Sequence, residues 1–155
     1  MFLQIDDAIR RNGELFESDL SEVFEQEVFS GRDIVFAEPV TIHCSYAYDG
    51  KALSVNGTVR TVLKSRCARC DKLFDEVFQV PYSERFVNMK FASDFEDEEC
   101  YVFSGNMIDL KESVLNCIFL SLPIVSLCKE DCKGLCPVCG CDLNVETCHC
   151  NPDGL

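Results

Sequence analysis

The chain has 155 residues, of which 27 are acidic, 14 basic and 12 cysteine, for a formal net charge of −13. That length suits one domain with a real core, and that charge excludes a protein that coats DNA or RNA non-specifically, because a phosphate backbone is repelled at long range. The opening Met1-Phe2-Leu3-Gln4-Ile5-Asp6-Asp7 has neither the basic start nor the unbroken apolar run of a secretory signal. No later stretch is long and apolar enough to span a membrane. We therefore expect a cytoplasmic protein, in a reducing compartment where clustered thiols bind metal instead of persisting as disulfides.

Residues 1–33 form an acidic segment, with nine acids against three bases. Leu3 and Ile5 can begin a strand, and Leu20, Val23, Phe24 and Val28 have rough helical spacing. The expectation here is an edge strand and a solvated acidic helix or loop. From Val40 the period becomes two: Val40, Ile42, Cys44, Tyr46 and Tyr48 share one face of a strand. Asp49-Gly50 then marks a hairpin turn. Leu53, Val55, Gly57, Val59, Thr61 and Leu63 alternate along a long second strand, and Phe74, Phe78, Val80 and Tyr82 suggest a third. Cys67-Ala68-Arg69-Cys70 falls at the bend between these two, a C-x-x-C knuckle in an antiparallel meander.

The other face of the second strand carries Arg60, Val62, Lys64 and Arg66, pointing the same way at intervals of about 7 Å. Arg69 and Lys72 continue the stripe, so residues 60–72 hold five bases and one acid, Asp71. Two readings stand side by side: the solvated outer face of a sheet, or a surface that contacts phosphate, which needs clustered Lys and Arg on one face. The run Asp94-Phe95-Glu96-Asp97-Glu98-Glu99 reads as a solvated loop, and Tyr101-Val102-Phe103 as a short strand. Asp109-x-x-Glu112 resembles a capping box opening a helix. Leu110, Val114, Cys117, Ile118 and Leu122 are its apolar stripe, and Pro123 ends it. This helix should cover the inner face of the sheet.

The stretch from Cys128 to Cys150 contains seven of the cysteines. Within it Cys136-Pro137-Val138-Cys139-Gly140 is a turn suited to two thiolates on one ion, and Cys148-His149-Cys150 supplies a closing pair. Eight cysteines thus stand in four pairs, enough for two structural zinc ions with four thiolates each. Of the three ways to combine intact pairs, we favour Cys67, Cys70, Cys128 and Cys132 for one ion. Cys136, Cys139, Cys148 and Cys150 then take the other. The first set would staple the end of the helix to the knuckle; the second would fold a tail too small for its own core. Cys44 and Cys117 read as small buried apolar residues, and Cys100 is unassigned. In the tail Cys141 competes with Cys139, and His149 with Cys148 or Cys150. All-thiolate sites are closed and structural, and the knuckle lacks the βαβ context of a redox motif, so we expect no enzyme.

Four features together resemble the YceD-like family, bacterial and plastid proteins named for large-subunit ribosomal RNA accumulation. They are the C-x-R-C knuckle Cys67 to Cys70, the helix start Ile108-Asp109-Leu110, the helix end Leu122-Pro123, and the tail. The tail runs Cys128…Cys132-Lys133-Gly134-Leu135-Cys136-Pro137-Val138-Cys139-Gly140…Asp142-Leu143-Asn144. The resemblance covers about residues 30–150 and implies a role in synthesis, processing or stability of that RNA, without a known catalytic activity. It also implies that relatives lacking the second half of the tail keep the knuckle and metal-binding residue types after the helix, which supports the favoured pairing. Cys141 and the end Asn151-Pro152-Asp153-Gly154-Leu155 depart from the pattern.

The expectation is therefore an α+β protein: an antiparallel β meander packed by a core helix, with a cysteine-rich C-terminal zinc-binding tail. Its parts would be an acidic segment 1–33, a core domain 34–127 and a tail 128–155 packed on the core. It would bind ribosomal RNA or a pre-ribosomal particle through Arg60, Lys64, Arg66, Arg69 and Lys72, and bind neither DNA nor a membrane. The alternative is a zinc-ribbon adaptor that meets a ribosomal protein without touching RNA; a thiol redox enzyme is the third reading.

Overall fold

The computed structural model describes residues 1–96 and 100–150. In chain order it contains β1 (Phe2–Gln4), α1 (Asp6–Arg10), β2 (Phe16–Glu22), β3 (Gln26–Phe29), β4 (Arg32–Val35), β5 (Val40–Tyr48), β6 (Ala52–Arg66), β7 (Leu73–Asn88), a 3-10 helix (Met89–Phe95), β8 (Tyr101–Phe103), β9 (Met107–Asp109) and α2 (Lys111–Leu120). A sheet in the order β2-β5-β6-β7-β8 is the body of the molecule, and two small pairs, β1-β9 and β3-β4, lie outside it. The ladder from β2 to β7 is antiparallel, while β8 runs parallel to β7. Mostly strand with few helices, this is a mixed α+β architecture.

Strand periodicity decides which face is buried. Val40, Ile42, Cys44, Tyr46 and Tyr48 of β5 all face the core, as do Leu53, Val55, Val59, Thr61 and Leu63 of β6. Thr61 is the polar member of that row, and its hydroxyl donates to the Glu38 carbonyl at 3.0 Å. Gly57 sits opposite Cys44; a Cβ there would lie 2.1 Å from the His43 carbonyl oxygen and 2.7 Å from Cys44 Cα. The close approach of β5 and β6 therefore requires glycine. Asp49 Oδ1 accepts from the N–H groups of Lys51 (2.8 Å) and Ala52 (2.7 Å), which closes the β5–β6 turn.

β7 turns Phe78, Val80, Tyr82 and Phe86 inward, where Leu110, just before α2, and Val114 and Ile118 of α2 join them in the core. Tyr82 Oη and Ser113 Oγ lie 2.6 Å apart, and Ser113 donates onward to the Leu110 carbonyl at 3.0 Å. Both buried hydroxyls are thereby satisfied.

Two local expectations are corrected. Residues 20–28 are not helical. Phe16 to Leu20 alternate apolar or small with acidic, and this period of two docks Phe16–Glu22 on β5 as β2. Phe24 then packs on Phe36 with centroids 5.6 Å apart, while Val28 belongs to the β3-β4 hairpin. The capping box is also displaced. Asp109 ends β9, Leu110 occupies the cap position without a side-chain cap bond, and α2 begins at Lys111. The Asp109 carboxylate still accepts from the Lys111 N–H at 3.0 Å, so its pull on the helix start survives one residue earlier. Within the acidic run, Asp94 belongs to the 3-10 helix and pairs with Lys51 at 2.8 Å. Asp97, Glu98, Glu99 and Asn151 to Leu155 lie outside the described residues. Among the described residues no helix is long and apolar enough to cross a membrane.

Candidate metal centres and the basic strand face

The turn from β6 to β7 builds the first cluster. The Cys67 N–H donates to the Lys72 carbonyl and the Asp71 N–H to the Cys67 carbonyl, both at 2.9 Å. The chain leaving α2 then runs beside this turn, with the Ala68 N–H donating to the Ser126 carbonyl at 2.9 Å. That contact delivers Cys128 and Cys132. Cys67, Cys70, Cys128 and Cys132 have sulfurs all within 4.8 Å of one another. Cys67 and Cys132 are 3.7 Å apart and Cys70 and Cys128 3.6 Å. A tetrahedral ion bonded to sulfur at its usual length sets neighbouring sulfurs about 3.8 Å apart. The four thiols fit such an ion. Phe74 and Leu127 pack around them as a small core of their own.

Cys136, Cys139, Cys148 and Cys150 form the second cluster under the same 4.8 Å limit. Cys139 lies 3.6 Å and Cys136 3.3 Å from Cys148. The turn that carries the first pair is closed by the Gly140 N–H on the Cys136 carbonyl at 2.8 Å. Its Val138 N–H points at Cys136 Sγ, 3.4 Å away, as the Cys150 N–H does at Cys148 Sγ, 3.2 Å away. This second set is less enclosed: Cys139 is exposed and only Cys136 is buried. Cys141 and His149 stand outside both sets of four. Cys44 is fully buried, and Cys117, half-buried, points its thiol at the Pro81 carbonyl at 3.4 Å.

The electrostatics of both clusters are those of sites that want a cation. Backbone N–H groups, that of Cys128 foremost, outweigh burial and pull the Cys67 thiol down to about 6. The N–H groups of Cys139 and Val138 do the same for Cys136, also to about 6. Burial, then the neighbouring thiols, pushes Cys128 up to about 12. Cys150 is driven up to about 12 by the Cys148 and Cys139 thiols, and Cys141 to about 12 by Cys139 and burial. Four thiols this close do not all ionise unaided, and a bound cation removes that penalty.

The tail docks on the knuckle through its backbone. Arg69 Nη1 donates to the Cys132 carbonyl at 2.8 Å, and the Leu135 N–H donates to the Arg69 carbonyl at 3.2 Å. At Gly134, φ is +77°, and a Cβ would come 3.0 Å from that same Arg69 oxygen. Glycine is needed there on both counts. Asn144, marked in the sequence only as the end of the tail string that carries the family resemblance, reaches Cys132 Sγ with its side chain at 3.4 Å. Its signal was an asparagine set between two cysteine pairs.

Arg60, Lys64 and Arg66 are exposed on the outer face of β6, and Arg69 and Lys72 on the knuckle. Val62, in the same row, is buried. The stripe is partly neutralised by acids from β7 and the turn. Lys64 Nζ pairs with Asp75 at 2.5 Å, and Arg66 Nη1 with Asp71 at 3.0 Å. Beside this face an open groove of about 770 Å³ lies between Ile34, Lys64, Arg66, Leu73 and the chain leaving α2 at Pro123 and Ile124.

The family model for "Large ribosomal RNA subunit accumulation protein YceD" matches residues 55–154, a span that takes in the basic strand and all eight clustered cysteines. The chain belongs to the YceD family. It is also similar to an uncharacterized protein of Mycobacterium leprae, 30% identical over 124 residues, covering 75% of this chain and 54% of the relative. An uncharacterized protein of Mycobacterium tuberculosis is 35% identical over 97 residues, covering 61% and 47%. The "Large ribosomal RNA subunit accumulation protein YCED homolog 1, chloroplastic" of Arabidopsis thaliana is 25% identical over 147 residues, covering 77% and 46%. This YceD-family chain thus spans about half the length of the curated relatives it matches. No solved structure matches it.

Proposed function

We propose that this protein is a non-catalytic zinc-binding factor that supports the accumulation of large-subunit ribosomal RNA. It acts in the cytoplasm by binding that RNA or a pre-ribosomal particle through Arg60, Lys64, Arg66, Arg69 and Lys72. The observation that carries the reading is the exposed basic row on β6, running into a thiol-clamped turn, in a chain of net charge −13. Zinc is favoured because each cluster offers four thiolates and no oxygen donor, the donor set of closed structural zinc sites. The two ion pairs on the stripe do not count against phosphate contact. Both are exposed, with Lys64 at 48% and Asp75 at 58%, and exposed pairs contribute about 0–1 kcal/mol. A phosphate can replace the aspartate at small cost. Arg69 is already oriented by the Cys132 carbonyl, so less side-chain entropy is lost when it binds.

Lys64→Glu with Arg66→Glu tests this. The double variant should keep its zinc and its melting temperature but leave the large-subunit precursor fractions on sedimentation. Binding of the wild type should weaken steeply as salt rises. A folded double variant that travels with the particles to the wild-type extent would overturn the reading. The second reading, an adaptor for a ribosomal protein, is favoured by the groove beside the stripe. There Ile124 is 90%, Leu73 59% and Val125 58% exposed. Because Lys64 and Arg66 also line the groove, the readings are separated by Ile124→Asp, which breaks particle association under the adaptor reading, and by Arg60→Glu with Lys72→Glu, two stripe residues outside the groove, which then does not.

A further inference from the structure

Asn144 belongs to the loop between the two cysteine pairs of the second cluster, yet its side chain works on the first. Its Oδ1 accepts from the Lys133 N–H at 2.9 Å. Its Nδ2 donates to Asp142 Oδ1 at 2.7 Å and reaches Cys132 Sγ at 3.4 Å. The amide orientation follows from these partners: turned over, it would set an oxygen against a carboxylate and a sulfur, and an N–H against an N–H. Cys132 is 2% exposed, so water is a poor substitute for that donor. Asp142 in turn accepts from the Asn144 N–H at 2.9 Å, which locks the turn. The loop is held on the knuckle side by the Leu143 N–H on the Gly134 carbonyl at 3.0 Å.

We infer that Asn144 is a positioning residue that couples the two metal centres. An ion at Cys136, Cys139, Cys148 and Cys150 closes the loop that carries Asn144, and closure presents an N–H to the Cys132 thiolate of the other centre. That hydrogen bond disperses sulfur charge and fixes the ligand's direction, which raises the first centre's affinity. By linkage, an ion in the first centre raises the affinity of the second by the same factor. The inference rests on the reading that both clusters hold metal.

The test is anaerobic titration of the whole chain with cobalt(II), read in the thiolate charge-transfer and d–d bands, and repeated with zinc against a competing chelator. Wild type should take two ions; uptake of fewer overturns the metal reading itself and is distinguished by that stoichiometry. Cys148→Ser should abolish the second centre and weaken the first about tenfold. Asn144→Ala should weaken the first centre by the same factor, and the double variant no further. An unchanged first centre in Cys148→Ser, or effects that multiply in the double variant, overturns the coupling. With cadmium-113 in place of zinc, NMR should detect scalar coupling between the Asn144 side-chain amide proton and the ion bound at Cys132. A loop that merely shields the first centre gives no such coupling, and its absence removes the role of the hydrogen bond.

Discussion

Side chains that share a strand face are close enough to tune one another, and His43 shows the effect in the open. Its Nδ1 lies 2.7 Å from Asp19 Oδ1, across the β2–β5 pair. The hydrogen bond to Asp19, then the charge of that carboxylate, raises the His43 pKa above its ordinary value. A pKa raised on folding means the pair helps hold the edge strand below the unfolded-state value, and that help is lost as pH rises through the folded value. NMR titration should place the His43 midpoint above about 6.5, and Asp19→Asn should return it to that value. An unmoved midpoint in the variant would remove the pair as the cause. The same proximity governs the basic stripe. Lys64 and Arg66 were legible as a row, because alternation assigns a face. Their acidic partners were only partly legible. Asp71 is in the same turn, but Asp75 meets Lys64 only through the β6–β7 register.

At the level of elements, β5, β6 and β7 follow their alternation, and α2 follows its apolar stripe. Before residue 33 the strand at Leu3 was legible, but the form of residues 20–28 was not. Leu20, Val23, Phe24 and Val28, at i, i+3, i+4 and i+8, mimic a helix. The free edge of β5 selected the competing strand pattern instead, because docking there satisfies a row of backbone groups. Gly57 gives the sharpest test of the sheet. Gly57→Ala should force β5 and β6 apart against backbone atoms, at a cost of about 3 kcal/mol. For a domain of this size the melting temperature should fall by roughly 6–12 °C, read by circular dichroism. A variant that melts within a degree or two of wild type would mean the strands separate there freely.

Across the whole molecule, the two clusters connect different things. Cys67, Cys70, Cys128 and Cys132 join the far end of the sheet to the chain leaving α2, while Cys136, Cys139, Cys148 and Cys150 close the tail on itself. Metal binding supplies folding free energy local to what each ion connects. Cys70→Ser should therefore release residues 121–150 from the sheet and lower the melting temperature. Cys148→Ser should loosen residues 136–150 and lower the melting temperature much less, by only the few degrees that an about tenfold weaker first centre costs. Hydrogen exchange with mass spectrometry separates the two, and equal losses of protection would argue against this division. Adding a strong chelator to wild type should reproduce the sum of both patterns.

The sequence by itself determined the sheet's three long strands, the covering helix, the family resemblance and the eight clustered cysteines. Each of these rests on a local period or spacing that the backbone must obey. Tertiary structure decided what depends on separate segments meeting. It brought Cys67 and Cys70 to Cys128 and Cys132, more than 55 residues away along the chain. It left Cys141 outside the second set, and it carried Asn144 from one cluster to a sulfur of the other. Spacing names the residues that can bind an ion. Only the packing of α2 against the sheet, and of the tail against Arg69, decides which of them share it.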